Sequence, residues 1–493
     1  MKKGFSSELY NKLQSQSIRD RIKQFGGKLY LEFGGKLFDD YHASRVIPGF
    51  EPDSKVKMLL EMKDDVEIVI AISADDIERS KRRGDLGITY HEDTLRLIDA
   101  FRGIGLYVGS VVMTHYRGQK AADKFRARLN TLGINVYTHY IIPEYPSNVP
   151  LIISDEGFGK NDYIETSRPL VVITAPGPGS GKMATCLSQL YHDHKRGIRA
   201  GYAKFETFPV WNLPLKHPVN LAYEAATADL NDINMIDPYH LEAYGITAVN
   251  YNRDVEIFPV LDAMFREIFG ESPYKSPTDM GVNQIGNCII NEDVCCEAAK
   301  QEIIRRYFAA SCGVLQGVSS PAELSKIEVI MNSIGISDKD RPVVEAARKR
   351  ADETNGPALA IELNDGTIIT GKTTDLLGAC SACLMNCMKA LAGIRKKTLL
   401  IPKNIIEPIQ RLKVEHLGNR NPRLHTDELL IALSVCAVTN PLAEEAINQL
   451  KELRGCEAHS SVILSHEDEE LLKRLGVNIT FEPRYQTERL YRG

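Results

Sequence analysis

The sequence lacks the features that mark membrane, secreted and nucleic-acid-binding proteins. No apolar run approaches the roughly 18 residues of a membrane-spanning helix. The first residues, MKKGFSSELYNKL, are polar where a secretory leader would be apolar. The 60 basic and 65 acidic residues leave a net charge of −5, so no basic excess points to nucleic acid or to an anionic membrane. We therefore expect a cytoplasmic protein without a nucleic-acid or membrane partner.

Cysteine is scarce, and its spacing does not support a metal cluster. Ten cysteines in 493 residues are too few for a disulfide scaffold, so we expect reduced thiols. Cys380, Cys383 and Cys387 suggest an iron-sulfur oxidoreductase, but their helical steps put them on one face of an apolar helix, without an evident fourth ligand. We therefore expect structural cysteines here and at the adjacent Cys295 and Cys296, and no iron-sulfur cluster.

The composition and the alternation of hydrophobic patterns predict an α/β protein. Apolar residues make up 43% of the chain and charged residues 25%, as in ordinary globular proteins, and the length allows two or three domains. Strands and helices alternate from Val66 in the segments VEIVIAI, HEDTLRLIDAFRGI, LYVGSVVM, QKAADKFRARLNTLGI and NVYTHYII. This alternation predicts a parallel sheet covered by helices. We predict an α/β domain at 1–250, a helical domain at 251–345 and a smaller C-terminal α/β domain at 346–493.

Shorter patterns add further strands to this prediction. The segment KLYLEFGGKLFDDY resembles a hairpin with Gly34 and Gly35 in its turn. In the C-terminal domain, PALAIEL and GTIITGK predict a hairpin around Asn364 and Asp365. Strands are also predicted at KTLLIP, SSVILS and VNITF.

The segment PLVVITAPGPGSGKMATCLSQL predicts a phosphate-type loop between a strand and a helix. Gly177, Gly179 and Gly181 allow the backbone to turn tightly and to point several N–H groups into one concavity. The following helix adds its positive end, and Lys182 adds a charge where a nucleotide-binding P-loop keeps its lysine. The candidate phosphate-binding residues, in the loop at 175–182 and just after it, are Gly177, Gly179, Ser180, Gly181, Lys182 and Thr185.

The loop departs from the P-loop consensus at two places. Pro176 replaces the first glycine, and Met183 replaces the serine or threonine that binds Mg²⁺. Thr185, Ser180 or a carboxylate elsewhere would then hold the metal, if one is held. A dinucleotide loop with Glu206 as its ribose acid is a weaker alternative, because that loop needs glycine at the position of Lys182. The remaining alternative is a glycine-rich turn that binds nothing.

Carboxylates on either side of the loop are candidates for binding Mg²⁺. Asp155 closes the apolar run VPLIISDEG, which we predict as a strand, and such a strand end holds Mg²⁺ in nucleotide-hydrolysing proteins. Asp232 is the second predicted metal ligand, and Asp229 is a candidate to accept a proton from a substrate hydroxyl. Such residues also form acidic turns and helix caps, which is the alternative interpretation.

The segment after the loop carries candidate residues for a second substrate. The predicted strand IRAGYAKFE has Lys204 and Glu206 near its end, and a proline-rich stretch with Trp211 and His217 follows. Charged and imidazole groups on an irregular segment beside a phosphate loop are typical of substrate contacts. We therefore predict that Lys204, Glu206 and His217 orient a second substrate; a packed surface loop is the alternative.

The chain resembles the bacterial family known as domain of unknown function 1846, or uncharacterised protein family 0371. The resemblance is carried by KLYLEFGGKLFDDYHASRVIPGF, ITAPGPGSGKMATCLSQLYHDHKRG, KFETFPVWNLPLKHPVNLAYEAATADLND and LNDGTIITGKTTDLLGA. It implies a shared fold and assigns no activity. Family members have been labelled ATP-dependent zinc proteases, but this chain has no His-Glu-x-x-His motif. The resemblance also implies a cytidine-deaminase-like C-terminal layer without zinc, since the deaminase metal signature is absent.

Two functional hypotheses remain open. The first is an enzyme that binds a nucleotide or another phosphorylated small molecule at the loop and transfers or cleaves a phosphoryl or acyl-phosphate group, with ATP and Mg²⁺ as the expected cofactors. The second is a sensor that binds such a ligand without chemistry. Neither a zinc site nor an iron-sulfur cluster is predicted. The sequence is compatible with a homo-oligomer.

Overall fold

The fold is described here from a computed structural model, for residues 3–35, 37–38, 40–83 and 86–486. Its described residues divide into two compact units. The first unit holds the residues before 225 together with 231–299, and the second holds 225–230 and the residues from 300 onward. The segment at 251–345, for which we predicted a helical domain, is thereby shared between the two units.

A parallel sheet of six strands organises the described part of the first unit. Its strands are β1 (Leu29–Phe33), β2 (Val66–Ser73), β3 (Tyr107–Tyr116), β4 (Asn135–Tyr140), β5 (Leu170–Thr174) and β6 (Gly201–Phe205). Their order across the sheet is β4-β3-β2-β5-β1-β6, and all neighbouring strands run parallel. The predicted parallel α/β architecture is therefore confirmed.

Helices connect these strands, and a small antiparallel pair of β7 (Asn234–Ile236) and β8 (Val249–Tyr251) follows the sheet. The helices in this part of the chain are α1 (Ser7–Gln24), α2 (Tyr41–Val46), α3 (Ser54–Leu60), α4 (Ala74–Glu78), α5 (Tyr90–Gly103), α6 (Lys120–Thr131), α7 (Val149–Ile152), α8 (Lys182–Lys195), α9 (Pro218–Ala226), α10 (Pro238–Tyr244), α11 (Asn252–Phe269), α12 (Pro277–Met280) and α13 (Glu292–Gln316). Short 3₁₀ turns occupy Phe158–Lys160, Ala228–Leu230 and Gly286–Cys288.

The strands of the sheet are buried because helices cover them. All eight residues of β2 and all five of β5 are buried, as expected for central strands of a parallel sheet. On one face, Tyr30, Val171 and Tyr202 of three adjacent strands belong to the same core cluster as Leu187 and Leu190 of α8. Burying one large apolar side chain contributes roughly 1.5–3 kcal/mol, so this layer holds α8 against the sheet.

The position of β1 corrects the hairpin predicted around Gly34 and Gly35. β1 pairs in parallel with β5 on one side and with β6 on the other, so neither edge of β1 is free for a hairpin partner. Part of the predicted second arm, at Lys36 and Asp39, lies outside the described residues. The apolar run LYLEF is a central strand, and such runs are typical of strands buried on both faces.

The second unit contains a mixed sheet with the order β10-β9-β11-β12. Its strands are β9 (Ala358–Glu362), β10 (Ile368–Lys372), β11 (Glu457–Ser460) and β12 (Asn478–Phe481). The predicted β9–β10 hairpin is confirmed, β9 and β11 are antiparallel, and β11 and β12 are parallel. The predicted strand at KTLLIP is wrong, and the one at SSVILS keeps only its first residue, because the strand there is β11.

Helices pack around this second sheet. They are α14 (Pro321–Ser333), α15 (Pro342–Thr354), α16 (Ala379–Leu391), α17 (Lys403–Arg411), α18 (Thr426–Ala437), α19 (Pro441–Ile447) and α20 (His466–Arg474), with 3₁₀ turns at Asp338–Asp340 and Leu450–Leu453 and a π-helical turn at Leu412–His416. Cys380, Cys383 and Cys387 are buried on α16, as predicted. None of the helices in the described part of the chain is at once long enough and apolar enough to cross a lipid bilayer.

Candidate functional site

The loop at 175–182 joins β5 to α8, where the sequence predicted a strand and a helix. Gly179 and Gly181 have φ angles of 73° and 79°, in the left-handed region that favours glycine. A Cβ atom on Gly177 would lie 2.4 Å from the hydroxyl oxygen of Tyr90, so a side chain does not fit there. Each glycine of the loop is therefore required by backbone conformation or by close packing.

Hydroxyl groups hold the loop against the end of β3. Thr114 donates a hydrogen bond of 2.8 Å to the carbonyl oxygen of Ser180, and the Ser180 hydroxyl donates one of 2.7 Å to the carbonyl oxygen of Gly177. Both Thr114 and Ser180 are buried. Because these bonds use carbonyl oxygens of the loop, they fix its shape without using its amide groups.

Backbone amides of the loop and of the start of α8 lack acceptors in the part of the chain that the structure describes. In the described residues, no hydrogen bond is donated by the backbone amides at 179–184, and the first helical bond is donated by Thr185 to the carbonyl of Gly181 at 2.9 Å. The first N–H groups of any helix lack helical partners, and the helix dipole makes that end positive. This end of α8 is thus able to bind an anion.

These groups border a cavity of about 620 Å³ at the carboxyl ends of the sheet strands. The loop and the start of α8 form one wall, at 179–185, and 139–142 and Tyr145 form another. The charged residues of the lining include Glu32, at the end of β1, and Arg253, at the start of α11. Ligands of parallel α/β sheets bind outside the carboxyl ends of the strands, as this cavity would allow.

Thr185, at the start of α8, is a lining residue of this cavity with a buried hydroxyl. The residue is fully buried and lines the cavity, and its Oγ1 atom has no hydrogen-bond partner among the described residues. Leaving a buried hydroxyl unpaired costs about 1–3 kcal/mol, so buried hydroxyls nearly always have a partner.

Lys182 lies at the first position of α8 and also lines the cavity. Its side chain is half-buried, and in the part of the chain that the structure describes no ion pair or hydrogen bond of its ammonium group occurs. The charge is thus available to a ligand.

Next to this wall lies a group of charged side chains that we call the Lys204 cluster: Lys204, Glu32, Glu206 and Asp254. Glu32 and Lys204 are register partners in β1 and β6. The Lys204 ammonium group forms ion pairs with Asp254 and, at 3.2 Å, with Glu206. Glu32 accepts a hydrogen bond of 2.6 Å from the Tyr202 hydroxyl.

Burial and mutual repulsion set the protonation of this cluster. Burial alone would lower the pKa of Lys204, but the carboxylates of Asp254 and Glu206 hold it well above its usual range. Burial raises the pKa of Glu206 to about 7, and the carboxylates of Asp254 and Glu32 add to this rise against the opposing effect of Lys204. Glu206 is thus a carboxyl group of this cluster whose pKa is raised towards neutrality although it pairs with Lys204.

The structure brings Asp232, but not Asp155, to the neighbourhood of the cavity. Asp232 is buried and lies 3.4 Å from the guanidinium group of Arg253, which lines the cavity. Asp155 is exposed, pairs with Lys195 and accepts a hydrogen bond of 2.8 Å from Tyr191.

Asp155 is thereby separated from the loop by the length of α8. Lys195 ends this helix of 14 residues, and such a helix spans about 20 Å. The predicted strand before Asp155 is wrong, since the segment forms helix α7 and a turn. A run of apolar residues this short does not distinguish the two structures.

Two other predicted residues lie elsewhere. Asp229 is exposed on the 3₁₀ turn Ala228–Leu230, which belongs to the second unit. His217 is buried, and its Nε2 atom lies 3.2 Å from an oxygen of Glu292 and 3.5 Å from the sulfur of Cys296. Burial lowers the pKa of His217, although Glu292 acts in the opposite direction. Neither Asp229 nor His217 lines the described cavity.

Sequence reasoning missed several residues of this site. Glu32, Arg253 and Asp254 were not among the predicted residues, and Thr114 lies on a different strand from the loop it holds. Glu32 carried the one available signal, because it is a carboxylate inside an otherwise apolar run, LYLEF. The sequence analysis assigned this run to a hairpin and did not use that signal.

The sheet, the loop and the cavity together define the class of this protein: a parallel-sheet α/β protein with a ligand-sized cavity at the carboxyl ends of its strands. The model of the family "Domain of unknown function DUF1846, N-terminal" matches residues 3–335, and its C-terminal counterpart matches residues 339–491. The chain therefore belongs to the DUF1846 family, as the resemblance implied.

Curated relatives support the same assignment. The UPF0371 protein str1377 of Streptococcus thermophilus strain CNRZ 1066 is 59% identical over 491 residues, which cover 100% of this chain and 99% of the relative. The UPF0371 protein of Streptococcus pneumoniae strain JJA is 58% identical over the same length, with the same coverage.

Proposed function

We propose that the cavity binds a phosphorylated small molecule, with a nucleotide as the first choice, and that the protein transfers or cleaves a phosphoryl or acyl-phosphate group there. The single observation that carries this proposal is the run of backbone amides at 179–184, which border the cavity and donate no hydrogen bond among the described residues. Phosphate oxygens beside this wall would accept hydrogen bonds from these amides.

The charged groups of the cavity fit a phosphate with its metal ion. Lys182 supplies a positive charge beside the loop, as the P-loop lysine does. Thr185 and Glu32 line the same cavity and are the oxygen ligands that would hold Mg²⁺, in place of the predicted Asp155. When bound, this ion would neutralise charge on the phosphoryl oxygens.

Other groups have supporting roles. Tyr140, Ile141 and Tyr145 form an aromatic and apolar wall, which fits the organic part of a nucleotide. Lys204 and Glu206 are positioning residues in this proposal, because they fix the charge around Glu32. No role is proposed for Asp229 or His217 in the phosphate site.

Binding of pyrophosphate and of Mg²⁺-ATP tests the phosphate site by calorimetry. Thr185→Val and Lys182→Met should each weaken binding by roughly 10- to 100-fold, the effect of losing one hydrogen bond to a charged group. Thr185→Ser keeps the hydroxyl and should bind normally. Lys195→Met is the matched control, since Lys195 is at the far end of the same helix and pairs with Asp155. Wild-type affinity in both loop variants would refute the proposal.

Turnover separates an enzyme from a sensor. The protein is incubated with a panel of nucleotides and Mg²⁺ and followed by phosphorus NMR. An enzyme produces new phosphorus signals that depend on Lys182, whereas a sensor only broadens the signals of the ligand. Broadening without product would replace the catalytic half of the proposal with the sensor hypothesis.

A further inference from the structure

A cluster of three potential metal ligands lies in the first unit, apart from the phosphate cavity. We call His217, Glu292 and Cys296 the His-Glu-Cys cluster. The imidazole, carboxylate and thiol ligand atoms of these residues all lie within 4.8 Å of one another. His217 is 75 positions from Glu292 along the chain, so the cluster has no sequence motif.

Local structure explains why these side chains meet. Glu292 and Cys296 are four residues apart at the start of α13, so they share one face of the helix. His217 directly precedes α9, and its Nδ1 atom accepts a hydrogen bond of 3.2 Å from the amide of Val219. This contact orients the ring with Nε2 towards Glu292 and Cys296.

The distances in the cluster match those between the ligands of one zinc ion. Zinc lies about 2.0–2.1 Å from nitrogen, about 2.0–2.2 Å from oxygen and about 2.3 Å from sulfur, and tetrahedral angles then place N and O roughly 3.3 Å apart and N and S roughly 3.5 Å apart. The observed distances from Nε2 of His217 are 3.2 Å to Glu292 and 3.5 Å to Cys296. The third ligand-to-ligand distance, between Glu292 and Cys296, is at most 4.8 Å.

The chemistry and exposure of the ligands indicate the kind of metal and site. A set of one nitrogen, one oxygen and one sulfur ligand suits Zn²⁺ among the common divalent ions. His217 is 5% exposed and anchors the buried side, whereas Glu292 is 66% exposed. Three protein ligands with one open side are typical of zinc sites that keep a water molecule in the fourth position.

We propose that His217, Glu292 and Cys296 form a zinc site with one coordination position open to solvent. Binding releases the thiol proton of Cys296 to solvent, so the thiolate is the ligand. The ring proton of His217 moves from Nε2 to Nδ1, so Nδ1 no longer accepts the hydrogen bond from Val219 and the two N–H groups must move apart when the ion binds. This proposal is independent of the phosphate site.

The absence of a zinc motif in the sequence does not conflict with this site. The sequence analysis excluded the His-Glu-x-x-His and deaminase signatures, and both exclusions stand. The proposal changes only the earlier prediction that Cys296 is a structural cysteine. Its neighbour Cys295 is buried on another side of the helix, close to Gly4, and remains a structural cysteine.

Cobalt substitution tests the site directly. The full chain, stripped of metal with a chelator and kept reduced, is titrated with Co²⁺, which gives a thiolate-to-cobalt charge-transfer band and strong visible bands in a tetrahedral site with sulfur. We expect one equivalent of Co²⁺ to bind, and one equivalent of Zn²⁺ to bleach the bands. The absence of a charge-transfer band would overturn the proposal.

Matched variants identify the ligands. Cys296→Ser should abolish the charge-transfer band, and His217→Asn should weaken Zn²⁺ binding by more than the roughly 10- to 100-fold caused by losing an outer-shell partner. Asparagine keeps the ability to cap α9, so folding, checked by circular dichroism, should be retained. Glu292→Gln should also weaken binding, whereas Asp293→Asn, one position along the same exposed turn, should not. A band that survives Cys296→Ser would assign the metal to another cysteine and refute the site.

Discussion

Glu32 and Lys204 lie directly opposite each other at the ends of the neighbouring parallel strands β1 and β6. Glu32 faces the cavity, and Lys204 is paired with two further carboxylates, Asp254 and Glu206. Charged residues of the candidate site thus belong to strands of the sheet. The integrity of the site and the stability of the first unit therefore depend on the same residues.

Replacement of Lys204 should destabilise the first unit strongly. Lys204→Met removes the ammonium group that pairs with Asp254 and Glu206 and leaves the buried Asp254 with only Arg253, 3.9 Å away, which costs about 3–5 kcal/mol of unfolding free energy. Urea denaturation followed by circular dichroism measures this loss. Lys195→Met is the control, because its ion pair with Asp155 is exposed and contributes little to stability. Equal effects of the two substitutions would contradict the assignment of a buried, charged Lys204.

Glu206 should make stability depend on pH near neutrality. Its pKa is raised in the folded protein from 4.5 to about 7, so the folded state binds the proton more tightly than the unfolded state. This contribution to stability is complete below the unfolded pKa and is lost as the pH rises through about 7. The unfolding free energy of the wild type should therefore fall across this window relative to that of Glu206→Gln.

The exposed Glu156, whose side chain is 72% accessible, supplies the control for the pH experiment. Glu156→Gln should leave the pH dependence of stability as it is in the wild type. If Glu206→Gln and the wild type show parallel curves from pH 4.5 to 7, the raised pKa is refuted.

The glycine loop should tolerate no side chain at Gly181. Gly181→Ala introduces a Cβ atom 3.0 Å from Thr114 in a left-handed conformation, and we expect it to lower stability by more than about 1–2 kcal/mol and to abolish pyrophosphate binding. Gly197→Ala is the matched control, with a φ of 71° and no atom within 4 Å of the new Cβ. It should cost about 1–2 kcal/mol and leave binding intact. Intact pyrophosphate binding in Gly181→Ala would show that binding does not depend on the shape of the loop.

The second unit should depend on the fully buried Arg341. Its guanidinium group pairs with Glu457 and donates hydrogen bonds to the backbone carbonyls of Ala458 and Asn478, at 2.9 and 2.8 Å. Arg341→Met should lower the unfolding free energy by about 1–3 kcal/mol, since the carbonyls of Ala458 and Asn478 lose this donor while Glu457 keeps its ion pair with Arg305. Lys473→Met, which removes an exposed pair with Glu469, should cost about 0–1 kcal/mol in the same denaturation experiment.

Local sequence determined much of the fold of this protein. The alternating strands and helices from Val66 to β4, the β5-loop-α8 connection and the β9–β10 hairpin were all predicted from periodicity and turn residues. These features depend on interactions between residues near each other in the chain, so the pattern itself specifies them. The glycines that shape the loop are of the same kind, because each position constrains its own φ angle.

Only the tertiary structure decided where those elements meet. β1 joins β5 and β6, which lie more than 100 residues further along the chain, and no local pattern states such a parallel pairing. That pairing places Glu32 beside Lys204 and at the cavity wall, while the length of α8 separates Asp155 from the loop. Long-range contacts bring the residues of this site together, and the local sequence does not specify the partners in such contacts. The site could therefore be identified only in the folded chain.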